Sequence, residues 1–258
     1  MRRTIFLLTL LLFCTSPVYA LSKDGLALYL PFDEGNGKVA KDASGNGNNG
    51  ELMGSSEWVE GKFGKAVHLH QVPDEFVEVP HSDSLDIRKA ITIELWVKVV
   101  SMVDHCAFVS KATADQTGAF ILHISNNNGF YTALIVFIGV QGPWPPPATG
   151  TTTIGEWHHF AGSYDGAELR IYIDGELQSK ANRVIGGDID HSDASVVIGR
   201  DNRADWTSRS MDCILDEVRI WNRVLSQDEI KEAMEGGLIS VTPQEFLTIM
   251  WGKIKIGS

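Results

Sequence analysis

A strictly alternating stretch at residues 91–99 constrains the fold of this chain more than any other feature. Apolar residues occupy every second position of it, as Ile91, Ile93, Leu95, Val97 and Val99. Successive side chains of a β-strand point to opposite faces of the sheet, so the pattern predicts a strand with one face in a hydrophobic core. Residues 169–173 alternate in the same way and lead into Asp174-Gly175, a dipeptide typical of a tight hairpin turn.

Further short stretches have the composition of strands and are separated by glycine, asparagine, aspartate and proline. They are residues 77–79, 119–124, 131–138 and 195–199. Many short strands joined by turns predict an all-β sandwich or barrel.

One helix is predicted near the C terminus. Ser226 and Glu229 have the spacing of a capping box, Ile230 and Met234 form an apolar stripe, and glycines at 236 and 237 end it.

The first 20 residues have the composition of a secretory signal peptide. Basic residues at positions 2 and 3 precede a short apolar run at 4–13, and small residues at 18 and 20 predict cleavage after Ala20. We therefore expect three parts: a signal peptide at 1–20, one domain at 21–237, and a C-terminal extension at 238–258. The protein would be secreted or otherwise extracytoplasmic, in a periplasm or at the cell exterior, with no membrane insertion after cleavage.

The charge balance excludes some classes of partner. The formal net charge is −11 at pH 7, and removing the signal peptide would make it more negative. Binding to nucleic acid or to an anionic membrane surface needs clustered Lys and Arg, so neither is expected.

Two cysteines, Cys106 and Cys213, remain after the predicted cleavage. An even pair in an oxidising compartment predicts one disulfide bond. Two buried thiols are the alternative that the sequence leaves open.

Several ordered motifs resemble the laminin-G-like, concanavalin A-like lectin/glucanase jelly-roll modules of bacterial secreted proteins. The resemblance covers the chain from Leu26 to Gly237. It implies an antiparallel two-sheet β-sandwich with one short C-terminal helix. The motifs are at 29–34, 42–50, 61–67, 91–97, 155–161, 164–166, 169–175 and 215–223.

The resemblance also implies a structural calcium ion between the opening loop and the last strand. Residues 42–50 supply a carboxylate, a hydroxyl, three amides and several glycines, and oxygen donors of this kind suit calcium. The expected ligands are Asp42 and Asp216, with Asp33 and Asn46 as weaker additions. From the residues alone, a turn stabilised by Asn and Gly explains the same segment.

The sequence favours binding over catalysis. Glycosidases on this fold present acids at alternate positions of one strand, and no such run occurs here. The expected function is therefore a non-catalytic module that binds a glycan or an extracellular protein. Its candidate contact residues lie in turn-rich segments, and they are Trp144, Trp206, Tyr131 and Asn202. A diverged glycoside hydrolase and a structural or adhesion scaffold are the alternatives.

His68 and His70 share one face of a predicted strand. Zinc would need a third ligand and supporting hydrogen bonds, which the sequence does not reveal. From the sequence, these residues are interpreted as ordinary strand histidines.

Overall fold

The computed structural model describes residues 21–103, 105–113, 118–126, 131–136, 149–182, 186–203 and 209–236. The predicted signal peptide at 1–20 and the predicted C-terminal extension at 238–258 lie outside the described residues, and so do Trp144 and Trp206. The elements given below all belong to one unit, Ser22–Leu238.

Sixteen strands, a short 3₁₀ turn and one α-helix make up the described secondary structure. In chain order they are β1 (Leu26–Leu30), β2 (Val39–Ala40), β3 (Gly50–Leu52), β4 (Glu57–Glu60), β5 (Lys65–Leu69), β6 (Val77–Val79), η1 (Asp83–Leu85), β7 (Ile91–Met102), β8 (Cys106–Ala112), β9 (Gly118–Ser125), β10 (Tyr131–Val136), β11 (Thr149–Thr151), β12 (Trp157–Tyr164), β13 (Glu168–Ile173), β14 (Glu176–Asn182), β15 (Val196–Ile198), β16 (Met211–Trp221) and α1 (Gln227–Met234).

The strands form two antiparallel sheets. Sheet A has the order β14-β13-β12-β7-β16-β5-β4, with β1 also paired to β16, and sheet B has the order β11-β10-β9-β8-β15-β6-β3-β2. The predicted fold class, an antiparallel two-sheet β-sandwich with one short helix near the C terminus, is confirmed. Among the described residues, no helix is long and apolar enough to cross a membrane.

The alternating residues of β7 face the core, as predicted. Ile91, Ile93, Leu95, Val97 and Val99 are all buried in the main apolar cluster. Phe108 of sheet B stacks on Phe160 of sheet A with ring centroids 5.1 Å apart, which joins the two layers.

Strand β16 changes its pairing partner along one edge. Residues 213–215 pair with β5, and residues 218–221 pair with β1, while β7 lies along the other edge. The change occurs at a β-bulge next to Asp216, where Glu217 takes a φ of 55°. A bulge adds one residue to a strand and redirects the side chains beside it.

Helix α1 covers the outer face of sheet A. Its predicted capping box is present, because Ser226 and Glu229 each bond the other's backbone N–H. The Nε1 of Trp96 donates to the Met234 carbonyl at 3.0 Å, and Arg219 Nη1 donates to the Ala233 carbonyl at 3.3 Å. The second face of β7 is thereby buried as well.

A buried charge cluster, which we call the α1 cluster, lies beneath this helix. Arg219 forms an ion pair with Glu217, and its Nη1 lies 3.7 Å from Glu94 Oε1. Trp221 Nε1 donates to Glu94 Oε1 at 3.1 Å, and the Tyr29 hydroxyl donates to Glu217 at 3.0 Å. Each carboxylate therefore has a cation and a neutral donor, the condition for keeping charges buried.

Arg219→Met is expected to lower the free energy of unfolding by about 3–5 kcal/mol, because it leaves two buried carboxylates without a counter-charge. Urea denaturation followed by tryptophan fluorescence measures this loss. Lys231→Met is the control: its partner Glu176 is exposed, and solvent screening makes such pairs contribute little to stability. Equal losses in the two variants would contradict the role given to Arg219.

His123 of β9 is a buried imidazole beside positive groups. Its ring stacks on that of His105 with centroids 6.2 Å apart. The pKa of His123 is lowered to about 4, mainly by burial and in part by nearby His105 and Arg203, against the opposing effect of Asp201. The folded protein therefore keeps this ring neutral at pH values where the unfolded chain protonates it.

The stability of the fold should accordingly fall as the pH drops from about 6.5 to about 4, by on the order of 3 kcal/mol from this residue. The sign follows because the unfolded state binds the additional proton in that window. His123→Gln removes the titrating group, so its stability should depend less steeply on pH. Chemical denaturation of both proteins at several pH values checks this, and parallel profiles would contradict it.

The two cysteines are not joined. Cys106 of sheet B and Cys213 of sheet A are buried thiols, and Cys106 Sγ lies 3.2 Å from the Val103 carbonyl and 3.3 Å from the Ser210 carbonyl. Burial raises the pKa of Cys213, and the neighbouring Cys106 adds to the effect. The structure therefore contains two buried thiols, the alternative that the sequence left open. The predicted disulfide between Cys106 and Cys213 is absent.

Candidate functional site

The opening loop, residues 42–50, is held by the carboxylate of Asp42. Its Oδ1 accepts hydrogen bonds from the backbone N–H of Tyr29 at 3.0 Å and of Ser44 at 2.9 Å. Its Oδ2 accepts from Ser44 Oγ at 2.7 Å and from the Asn48 N–H at 2.9 Å. Asn46 is used similarly, since its Nδ2 donates to the Leu26 carbonyl at 2.9 Å. These side chains hold the loop against β1.

The carboxylates of Asp216 and Asp33 instead contact the turn between β4 and β5, residues 61–65. Asp216 Oδ2 accepts from the Phe63 N–H at 2.9 Å, and Asp33 Oδ1 accepts from the Lys65 N–H at 3.0 Å. The second oxygen of Asp216 is buried without a hydrogen-bond partner. Burial raises the pKa of Asp216 to about 7.

Oxygen atoms converge beside Gly61. A Cβ at this glycine would lie 2.6 Å from Asp216 Oδ2, 2.7 Å from the Lys65 carbonyl oxygen and 2.8 Å from the Phe63 carbonyl oxygen. A side chain at this position would collide with these oxygens, so glycine is required for their close approach.

The four predicted calcium ligands are therefore divided between two places. Asp42 and Asn46 form hydrogen bonds with residues of the opening loop and β1. Asp33 and Asp216 accept hydrogen bonds from the 61–65 turn. In the part of the chain that the structure describes, one group of three possible metal-ligating side chains occurs, and it contains none of the four.

An open groove lies between the edges of the two sheets. Its volume is about 440 Å³. Gly150 lets β11 approach β14, because a Cβ there would lie 2.7 Å from Gln178 Cγ. The lining comes from β11 of sheet B and from β12, β13 and β14 of sheet A, and it consists of Thr151, Thr152, Thr153, His158, Ile173, Asp174, Glu176 and Gln178.

The floor of the groove depends on the hairpin turn at Asp174-Gly175. Asp174 and Gly175 have φ values of 51° and 74°, as a primed two-residue turn requires. The carboxylate of Asp174 lies 2.8 Å from His158 Nδ1 and accepts from the His159 N–H at 2.9 Å. His158 Nε2 in turn lies 3.0 Å from Thr153 Oγ1. This chain of contacts fixes the imidazole in the groove.

The second carboxylate of the groove is held in its ionised form. Glu176 contacts Lys231 Nζ at 2.6 Å and Gln227 Nε2 at 3.0 Å, and the hydrogen bond from Lys231 is the main reason that its pKa is lowered. A glycosidase needs one carboxyl group with a raised pKa as its general acid. Glu176 has the opposite property, and Asp174 has both oxygens engaged.

The carboxylates with raised pKa values lie elsewhere. Burial raises the pKa of Asp216 and of Glu217, yet neither lines the groove. Glu94, which follows the alternation of β7, is fully buried beneath α1. These acids are enclosed by the fold and do not face the open surface.

The predicted ligand-binding residues are only partly placed. Trp144 and Trp206 lie outside the described residues. The backbone of Tyr131 pairs with Thr151, a groove residue. Asn202 accepts a hydrogen bond from Arg200 Nη2 at 3.2 Å and does not line the groove.

Sequence reasoning missed the groove residues themselves. The threonines at 151–153 and Gln178 carry no motif, and the hairpin at Asp174 was recognised only as a turn. The pairing of β10 with β11 and the approach of β11 to β14 bring them together, and neither follows from local patterns.

A family model described as the concanavalin A-like lectin/glucanases superfamily, Laminin_G_3, matches residues 73–231. No curated protein matches the sequence.

Solved structures of an arabinanase domain and of a neurotoxin binding domain are similar in fold. One is domain 4 of AbnA, a GH43 extracellular arabinanase from Geobacillus stearothermophilus, solved in complex with arabinotriose. It is 21% identical in sequence and has a TM-score of 0.56, and the match covers 81% of this chain and 97% of that one. The binding domain of botulinum neurotoxin DC with rat synaptotagmin II is 13% identical with a TM-score of 0.62, covering 81% and 51%. The same toxin domain in complex with SialylT is 13% identical in sequence with a TM-score of 0.61, and the match covers 81% of this chain and 50% of that one. The chain thus spans about half the length of the toxin domains.

Proposed function

The chain belongs to the concanavalin A-like lectin/glucanase superfamily, and from this we propose that it is a secreted, non-catalytic module that binds a glycan in the groove between β11 and β14. The observation that carries the proposal is the lining of this groove, where hydroxyl, amide, imidazole and carboxylate groups face one open space. Sugars present many hydroxyl groups, and fixed donors and acceptors of this kind orient them.

The similar structures favour a glycan over a protein as the ligand. The arabinanase domain was solved with arabinotriose and the toxin domain with SialylT, while a second toxin structure contains synaptotagmin II. A small, polar, open groove suits an oligosaccharide better than a protein surface, because protein interfaces of useful affinity bury a far larger area.

Binding without hydrolysis is supported by the state of the groove carboxylates. Glu176 is ion-paired with Lys231, and Asp174 is bonded to His158 and to the backbone. Either carboxylate can accept hydrogen bonds from a sugar, and neither is a suitable proton donor for a leaving group.

Aromatic contacts complete the proposal. The segment between β10 and β11 contains Trp144 and leads directly into Thr151 of the groove. An aromatic ring beside polar groups is the usual way to bind the apolar face of a sugar. We include Trp144, Tyr131 and Trp206 as contact residues, and we assign no direct contact to Asn202.

Glycan binding should weaken when groove side chains are shortened. Thr151→Ala and Gln178→Ala each remove one hydrogen-bonding group from an exposed position, so each should reduce affinity about three- to tenfold and leave the melting temperature unchanged. A glycan array that includes arabino-oligosaccharides and sialylated oligosaccharides identifies the ligand, and calorimetry on the best hit measures the loss.

Gln71→Ala is the matched control, since it removes the same amide from an exposed position outside the groove. Affinity unchanged in all three variants would remove the groove as the binding site. Release of reducing sugar that stops when one Asp or Glu is neutralised would make the protein a hydrolase instead.

We also propose a structural calcium ion at the 61–65 turn, in a narrower form than the sequence suggested. Asp216 and Asp33 would hold it, together with the carbonyl oxygens that converge beside Gly61. Asp216 Oδ2 is the oxygen beside Gly61, and Asp216 Oδ1, which is buried without a hydrogen-bond partner, supports an additional cationic partner for this carboxylate. When bound, calcium would supply the positive charge that offsets the cost of burying this carboxylate.

Calcium should raise the melting temperature of the wild type, and Asp216→Asn should abolish most of that increase. A ligand bound only by the folded state stabilises by about 2.7 kcal/mol at 100 times its Kd. Asp42→Ala should instead lower the stability of the protein equally in calcium and in chelator, because it removes the carboxylate that accepts the hydrogen bonds of the opening loop. Thermal melts under both conditions distinguish the two variants, and identical wild-type melts would end the calcium proposal.

A further inference from the structure

Strands β4 and β5 bring a carboxylate and two imidazoles together on the outer face of sheet A. Glu57, His68 and His70 each offer one possible ligand atom, and these atoms lie within 4.8 Å of one another. His68 lies on β5 and His70 follows one residue beyond its end, and the centroids of their rings are 4.2 Å apart. Glu57 is the direct cross-strand partner of His68. Val67 and Leu69 point into the core. His68 and His70 alternate with them along the chain, so both imidazoles lie on the opposite, outer face.

Each histidine is oriented by its own carboxylate. His68 Nε2 lies 2.7 Å from Asp212 Oδ1 of the neighbouring strand β16. His70 Nδ1 lies 2.9 Å from Glu75 Oε2, which also accepts from the His70 backbone N–H at 2.7 Å. Metal-bound histidines almost always have such a partner, which fixes the tautomer and raises the basicity of the other nitrogen. The sequence could not reveal Asp212 as a partner, because it lies 144 residues after His68, whereas Glu75 lies 5 residues after His70.

The geometry points to a site for a divalent transition metal, with zinc as the ion that suits it, held by Glu57, His68 and His70. Asp212 and Glu75 occupy one nitrogen of each ring, so His68 Nδ1 and His70 Nε2 are the ligand atoms. Nitrogen ligands select zinc and its neighbours in preference to calcium or magnesium.

Solvent reaches the site. The side chains of His68 and His70 are 22% and 37% exposed, and Glu57 is exposed. Three protein ligands leave one tetrahedral position for water or for an oxygen of a bound molecule. The site is independent of the proposed groove, because none of its residues line that groove.

A bound ion would join the edge strand β4 to β5. The side chain of Glu57 makes no hydrogen bond or ion pair among the described residues, so its carboxylate is available to a metal without loss of another contact. Three carboxylates surround the two imidazoles, and their negative charge favours a cation there. The metal should therefore stabilise this edge of sheet A.

The test is calorimetric titration of the full chain, without an affinity tag, with zinc chloride. One equivalent of zinc should bind and raise the melting temperature. His68→Ala, His70→Ala and Glu57→Gln should each weaken binding by about 100-fold or more, while Asp212→Asn should weaken it by about 10- to 100-fold. Glu57→Gln is decisive, since an exposed side chain of equal size is replaced and the fold is kept.

His158→Ala is the matched control for metal affinity. His158 also contacts a carboxylate, that of Asp174, at 2.8 Å, yet it belongs to no group of three ligands among the described residues. Its zinc affinity should equal that of the wild type. The proposal is overturned if the wild type binds no stoichiometric zinc, if Glu57→Gln binds as tightly as the wild type, or if His158→Ala abolishes binding.

Discussion

The pairing of β16 with three other strands is the constraint on which the rest of sheet A depends. One edge of β16 follows β7, and the other pairs first with β5 and then with β1. A strand that changes partner must break its register, and the bulge at Glu217 does so. The bulge leaves two adjacent acids in the interior. Arg219 and Tyr29 bind the carboxylate of Glu217, and the 61–65 turn donates a hydrogen bond to the carboxylate of Asp216.

Local patterns predicted the elements of this fold because their causes are local. The alternation of β7, the hairpin at Asp174-Gly175 and the capping box of α1 each depend on residues a few positions apart. The burial of Glu94 was not predictable in this way, since alternation separates the faces of a strand without saying what covers each. Helix α1, more than 100 residues later in the chain, supplies that cover.

The candidate sites were harder to predict for the same reason. Asp42 and Asp216 were assigned to one site by resemblance, whereas the structure gives Asp42 to the opening loop and Asp216 to the 61–65 turn. Thr151 and Gln178 meet only through the approach of two sheet edges, and His68 gains Glu57 and Asp212 from two other strands. Long-range pairing decides which polar residues become neighbours, and a single sequence contains little information about it.

The two core thiols have a consequence for how opening of the sandwich can be observed. Cys106 belongs to sheet B and Cys213 to sheet A, and both are 0% exposed. A thiol-specific reagent reaches them only when the layers separate, so the rate of modification reports opening events that fluorescence at equilibrium would average away. Because each sheet carries one of these two thiols, identifying which is modified first would distinguish peeling of one layer from concerted separation of both.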